Sequence, residues 1–265
     1  MQNTDIENTL LTLQRSSDNI SHIDEIWSQG RSVFGGISAA LAVTGMRKLL
    51  DSPQPLRSLM VSFIAPVLPG QVKVDAKILR QGRNVTQCSA DVISDNNLCL
   101  QTMAVFGNSR EAFKAPTQIE VAPLSRDKGI AFETYAKRLP RFLQRFDGCW
   151  VGGGIPFSGN FNPRLNMWVR HKSPLHGFPM EKLVTIADIP PPVILTHFKE
   201  PPVPASSLSW SLEFVVPPET ITNDWFYLEF KVEAAADGYT QQSGNIYDES
   251  GRLLALTRQC MVYFG

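Results

Sequence analysis

Gly82–Phe106, reading GRNVTQCSADVISDNNLCLQTMAVF, returns in altered form at Gly238–Phe264 as GYTQQSGNIYDESGRLLALTRQCMVYF, and that return decides the architecture. Each stretch is a β-type segment, a polar turn and a second β-type segment, and each closes its half of the chain. Setting Leu98 on Leu253 places Thr102 on Thr257 and Ala104 on Gln259. A duplicated unit that is apolar in one copy and amide-bearing in the other implies a pseudo-symmetric pair with one retained active site.

The segments around each copy agree with this. Phe34–Met46 (FGGISAALAVTGM) reads as a helix ending at the basic Arg47 and Lys48, which suit the negative end of the helix dipole. It has no polar stripe, and a helix apolar all round must be wrapped on every side. The wrapping follows as strands: Leu56–Pro66, then Val72, Val74, Ala76 and Ile78 alternating with polar residues, then Asn84–Ser94 and Leu98–Phe106. Residues 8–27 read as one or two further strands around a Ser16–Asn19 turn. In the second half, strand regions near Arg141–Pro156 and Arg164–His171 lead into a helix over Pro179–Asp188. Proline suits its first position, and Pro190, Pro191 and Pro192 stop it. Ser206–Val216 follows, then a strand with Phe226, Leu228, Phe230 and Val232 facing in and Tyr227, Glu229, Lys231 and Glu233 facing out. The fold class is therefore α+β: two tandem units, each a curved antiparallel sheet around one central helix. The predicted division is 1–110 for the first unit, 111–130 for a polar linker and 131–265 for the second.

With 265 residues, 43% hydrophobic and 19% charged, the composition excludes disorder. The formal net charge is zero, which excludes a whole-molecule field for nucleic acid or an acidic membrane. The start MQNTDIENT has no leader pattern, and no apolar run reaches the roughly 18 residues of a spanning helix. Cys88, Cys99, Cys149 and Cys260 are dispersed, without a zinc or disulfide spacing. The expectation is a cytoplasmic protein with no membrane or nucleic-acid partner and no metal or organic cofactor. His22, His171, His176 and His197 have no ligand spacing and read as surface or satisfied residues. Lys137, Arg138, Arg141 and Arg145 read either as a solvated strand face or as a contact for phosphate groups. Trp150, Trp168, Trp210 and Trp225 read as core.

The order of the first helix, SLMVSFIAPVLPG and LRQGRNVTQ, followed by ADIPPPV, SLSWSLEFV and SGNIYDESGRLLALTRQ, resembles acyl-CoA thioesterases of the double hotdog type. The resemblance runs from about Phe34 to Gly265. It implies two hotdog units, an acyl-CoA substrate, and hydrolysis to a fatty acid and CoA without a cofactor. The family's helix aspartate falls on Asp188 and its terminal-strand glutamine on Gln259. Its strand hydroxyl, usually threonine, falls on Ser207. Ser209-Trp210 stands where the bacterial type II members carry an aspartate–histidine pair.

Thioester hydrolysis needs an activated water, donors for a developing oxyanion and a slot for the acyl tail. Asp188 suits the base, while Ser207 and Gln259 offer both donors and acceptors for water and carbonyl. Gly35 and Gly36 open the first helix, where free backbone N–H groups and the absence of side chains suit an oxyanion. Asp188 also opposes the dipole at the end of its helix, and breaking a local rule often marks a functional site. Three alternatives remain: a non-catalytic acyl-thioester or fatty-acid binding protein, an enoyl-thioester hydratase or dehydratase, and a scaffold. A homo-oligomer joined through sheet edges is expected only by analogy.

Overall fold

A computed structural model describes residues 5–117, 119 and 121–265. Met1–Thr4 of the polar start, and Gln118 and Glu120 of the expected linker, lie outside the described residues. The chain opens with helix α1 (Ile6–Arg15), strand β1 (Ile20–Ile23) and a short ribbon of β2 (Ser28–Gln29) and β3 (Ser32–Val33). Helix α2 (Gly35–Arg47) leads into β4 (Leu56–Phe63), β5 (Gly70–Gln81), β6 (Val85–Ser94) and β7 (Asn97–Gly107). After a long irregular stretch come β8 (Ile130–Ala131), β9 (Phe146–Gly153) and β10 (Arg164–His171). Helix α3 (Pro179–Ala187), β11 (Ala205–Phe214), β12 (Phe226–Ala236), β13 (Tyr239–Tyr247) and β14 (Leu253–Tyr263) complete the fold.

Twelve strands form one sheet in the order β1-β5-β6-β7-β4-β11-β14-β13-β12-β10-β9-β8. Four strands of the first half and their four counterparts in the second meet where β4 pairs with β11, Leu59 opposite Leu212 and Val61 opposite Trp210. The architecture is a double hotdog, with α2 and α3 lying together in the curl of the joined sheet. Every residue of α2 from Gly36 to Met46 is buried, as its lack of a polar stripe requires.

The helices run antiparallel. Gly36 near the start of α2 lies against the Thr185 backbone, and a methyl there would sit 3.2 Å from Thr185 Cα. At the other end, the Arg47 guanidinium bonds both oxygens of the fully buried Glu181 at 2.8 Å. The Thr44 hydroxyl donates to the same carboxylate at 3.0 Å.

Three expectations are corrected. Residues 8–27 are not a strand pair, because Ile6, Leu10 and Leu13 share one face of helix α1 and are buried. Their spacing is the helical period, so only Ile20–Ile23 is left as strand. The strand expected from Arg141 starts only at Phe146, and Arg141–Arg145 is a 3₁₀ turn. Of that basic group, Arg141 pairs with Glu25 at 2.9 Å in the open, which suits a solvated surface though not a strand face. Tyr227 does not face water but is 1% exposed. It packs with Cys149, Trp168, Tyr247 and Leu253 on the outer sheet face, beneath Val121. The Trp168 indole donates to the Leu124 carbonyl at 2.6 Å, which fastens that segment across the sheet.

Candidate active site

Asp188 caps the C-terminus of α3 (φ −96°, ψ 0°), with Ile189 between it and the three prolines. Two groups hold its carboxylate. Gln259 Nε2 donates to Oδ1 at 2.9 Å, and the Gly36 amide at the start of α2 also donates. Both favour the charged form. Burial opposes them and is the larger effect, so the carboxyl is pushed up from its ordinary 3.8 to about 7. No charged side chain contributes to that shift. The acid therefore lies between the negative end of its own helix and the positive end of α2.

Gly35 is required by contact. A methyl there would stand 2.7 Å from Asp188 Oδ2 and 2.8 Å from the Phe63 ring on β4. The glycine pair therefore places an apolar ring, a carboxylate and the first turn of α2 together. This makes a surface where a thioester carbonyl can meet backbone donors and an acid at once.

Gln259 is 3% exposed on β14, opposite Trp210 of β11 on one side and Gln242 of β13 on the other. Gln242 was not anticipated from the sequence. It is fully buried, donates through Nε2 to Gln259 Oε1 at 3.0 Å, and accepts from the Val193 amide through Oε1 at 2.9 Å. The first half holds the apolar counterpart: on β6 and β7, Cys88 stands opposite Ala104, and both are buried. The signal was present in the sequence, because Thr86-Gln87-Cys88 matches Thr240-Gln241-Gln242 once the copies are aligned strand by strand.

Ser207 is brought to the neighbourhood without being bonded to it. It lies opposite Met261, across a bulge between Ser207 and Ser209. Cross-strand partners share a face, so Ser207 looks the same way as Gln259, about 7 Å along the strand. It makes no side-chain hydrogen bond to Asp188 or Gln259 among the described residues. Trp210 donates its indole N–H to Thr257 Oγ1 at 2.7 Å, so this departure from the family's histidine is a core residue here. His171, beneath α3 with Nε2 2.8 Å from Thr185 Oγ1, is pushed down to about 3 by burial and by the Lys182 charge. It stays neutral at working pH and makes no side-chain hydrogen bond to Asp188 or Gln259 among the described residues. Among the described residues no group of His, Cys, Asp or Glu is placed to hold a metal ion, and no helix is long and apolar enough to cross a membrane.

Family comparison supplies the class. The model of the acyl-CoA thioesterase C-terminal domain matches residues 116–263, more than half the chain, and the N-terminal domain model matches residues 23–107. The chain belongs to the acyl-CoA thioesterase family. As a member it is a thioester hydrolase, and both of its halves fall under that family's domain models. No curated protein matches the chain. Among solved structures, a hot dog fold protein from Alicyclobacillus acidocaldarius superposes with a TM-score of 0.82 at 21% identity, covering 93% of this chain and 92% of that one. The putative thioesterase II from Thermobifida fusca gives 0.78 at 15% identity, covering 93% and 92%. The acyl-CoA thioesterase II of Mycobacterium marinum gives 0.76 at 17% identity, covering 98% of each chain. At these identities the likeness is one of fold.

Proposed function

We propose that this thioesterase hydrolyses acyl-CoA to a free fatty acid and CoA, with Asp188 as the general base. The observation that carries the reading is the Gln259–Asp188–Gly36 arrangement, which holds a carboxyl titrating near neutrality beside the N-terminus of α2. A base whose pKa lies near the working pH combines a useful ionised fraction with real basicity. Asp188 takes a proton from water as the water oxygen bonds to the thioester carbonyl carbon. The oxyanion is received by the first-turn amides of Gly35 and Gly36, the latter exchanging its bond to Asp188 for one to substrate. The intermediate then collapses, the C–S bond breaks, and the proton from Asp188 passes to the CoA sulfur. The second Nε2 hydrogen of Gln259 and the Ser207 hydroxyl orient water and carbonyl. Phe63 walls the slot on the β4 side.

The test is thiol release from acyl-CoAs of graded chain length, with binding followed in parallel. Release that depends on chain length is the expected result. Tight acyl-CoA binding with no thiol released at any length would overturn the reading.

A further inference from the structure

The direction of the Gln259 amide is not free. An amide side chain can present either its N–H₂ or its oxygen to a neighbour, and beside a carboxylate only the first is attractive. Here the choice is set from behind. Pro190, Pro191 and Pro192 carry no N–H, so Val193 offers the first backbone donor after Ile189, at the start of a short 3₁₀ turn where such donors lack local partners. A backbone N–H can only donate, so Gln242 must answer with Oε1, at 2.9 Å. Its Nε2 then faces Gln259 at 3.0 Å and demands an acceptor there, which leaves Gln259 Nε2 to face Asp188. Gln242 is completely buried, and both ends of its amide are committed to this chain of bonds. The other half shows that a buried strand pair at these positions needs no polar group, since Cys88 and Ala104 fill them.

We propose that Gln242 is a positioning residue, which fixes the polarity of the Gln259 amide and so keeps a hydrogen-bond donor aimed at the Asp188 carboxylate. It touches neither water nor thioester. The consequence for catalysis rests on the function proposed above; the consequence for the Asp188 carboxyl does not. In the Gln242→Met variant, Gln259 is released to present either end, and the ionised form of Asp188 loses part of its support.

The test compares wild type with Gln242→Met in two measurements. One is the pH profile of kcat/KM for thiol release, with kcat and KM separated. The other is the titration midpoint of the Asp188 side-chain carboxyl followed by carbon NMR. The expected result is a kcat lower by on the order of ten- to a hundredfold, as for other partners that orient an active-site group. KM should be unchanged, and both the acid limb and the NMR midpoint should move to higher pH. An unchanged kcat with an unchanged midpoint overturns the proposal, and so does a lower kcat whose acid limb and midpoint stay in place. A wild type that releases no thiol, with a midpoint that still moves in the variant, would sink the proposed reaction and leave the positioning role standing. Should Gln242→Met fail to fold, Gln242→Cys carries the residue found at the matching position of the other half, and the same outcomes apply.

Discussion

At the scale of single residues, the site is a balance of opposed effects on one carboxyl. An aspartate at the C-terminal end of a helix meets the negative end of the dipole, and partial burial penalises its charge further. Gln259 and Gly36 recover only part of this, so the acid stays near neutrality and not at an ordinary carboxylate value. The two glycines are constrained for different reasons. A methyl at Gly36 would lie 2.5 Å from the Phe34 ring and 3.2 Å from the Thr185 backbone, contacts that the helix crossing cannot relax cheaply. Gly36→Ala should therefore cost about 1–3 kcal/mol of stability, the usual penalty of overpacking, measurable by denaturant unfolding. A methyl at Gly35 meets the Asp188 carboxylate and a ring edge, which can swing aside. Gly35→Ala should fold and, with Asp188 as the proposed base, lose activity on the order of a hundredfold through misplacement of its carboxylate. Wild-type turnover in that variant would show that activity does not depend on the placement of Asp188 by the glycine.

At the scale of elements, the α2–α3 pair has a charged end opposite the end that carries Asp188. Glu181 is wholly buried, and Arg47 and Thr44 are its partners from α2. Removing one partner of a buried pair strands the other charge, so Arg47→Met should destabilise by about 3–5 kcal/mol. Glu181→Gln, which removes the charge but keeps the shape, should cost clearly less; equal losses in thermal unfolding would contradict this. Elements also show how far the sequence could be read. The all-apolar helix at Phe34–Met46, the alternating strands and the repeat ending at Phe264 specify the hotdog units because period and burial coincide there. Asp188 and Gln259 were readable through the family pattern and the uneven repeat. The α1 helix was misread because its polar residues hide the Ile6, Leu10, Leu13 spacing, and Tyr227 because a loop covers the outer face. Gln242 escaped because its role arises only in space, from cross-strand register with Gln259 and a backbone donor 49 residues away.

At the scale of the whole molecule, the two halves share one sheet and one helix-packed core. The β4–β11 seam and the α2–α3 contact both cross between them. Heating should therefore give a single transition in which circular dichroism and tryptophan fluorescence coincide. Two resolved steps would mean that each half is stable alone. The raised Asp188 carboxyl adds a pH signature. Between its ordinary 3.8 and about 7, the folded chain holds a proton that the unfolded chain has released, so stability falls as pH rises across that window. Relative to Asp188→Ala, wild type should lose thermal stability from pH 4 to 7 and show no further difference above it. The most direct test of Asp188 as the base is the pH dependence of kcat/KM for thiol release in wild type and Asp188→Ala. The wild-type rate should climb through a limb near pH 7, and the folded variant should lack the limb and be slower by about 10²–10⁴-fold. A variant that keeps both the limb and the rate would contradict it.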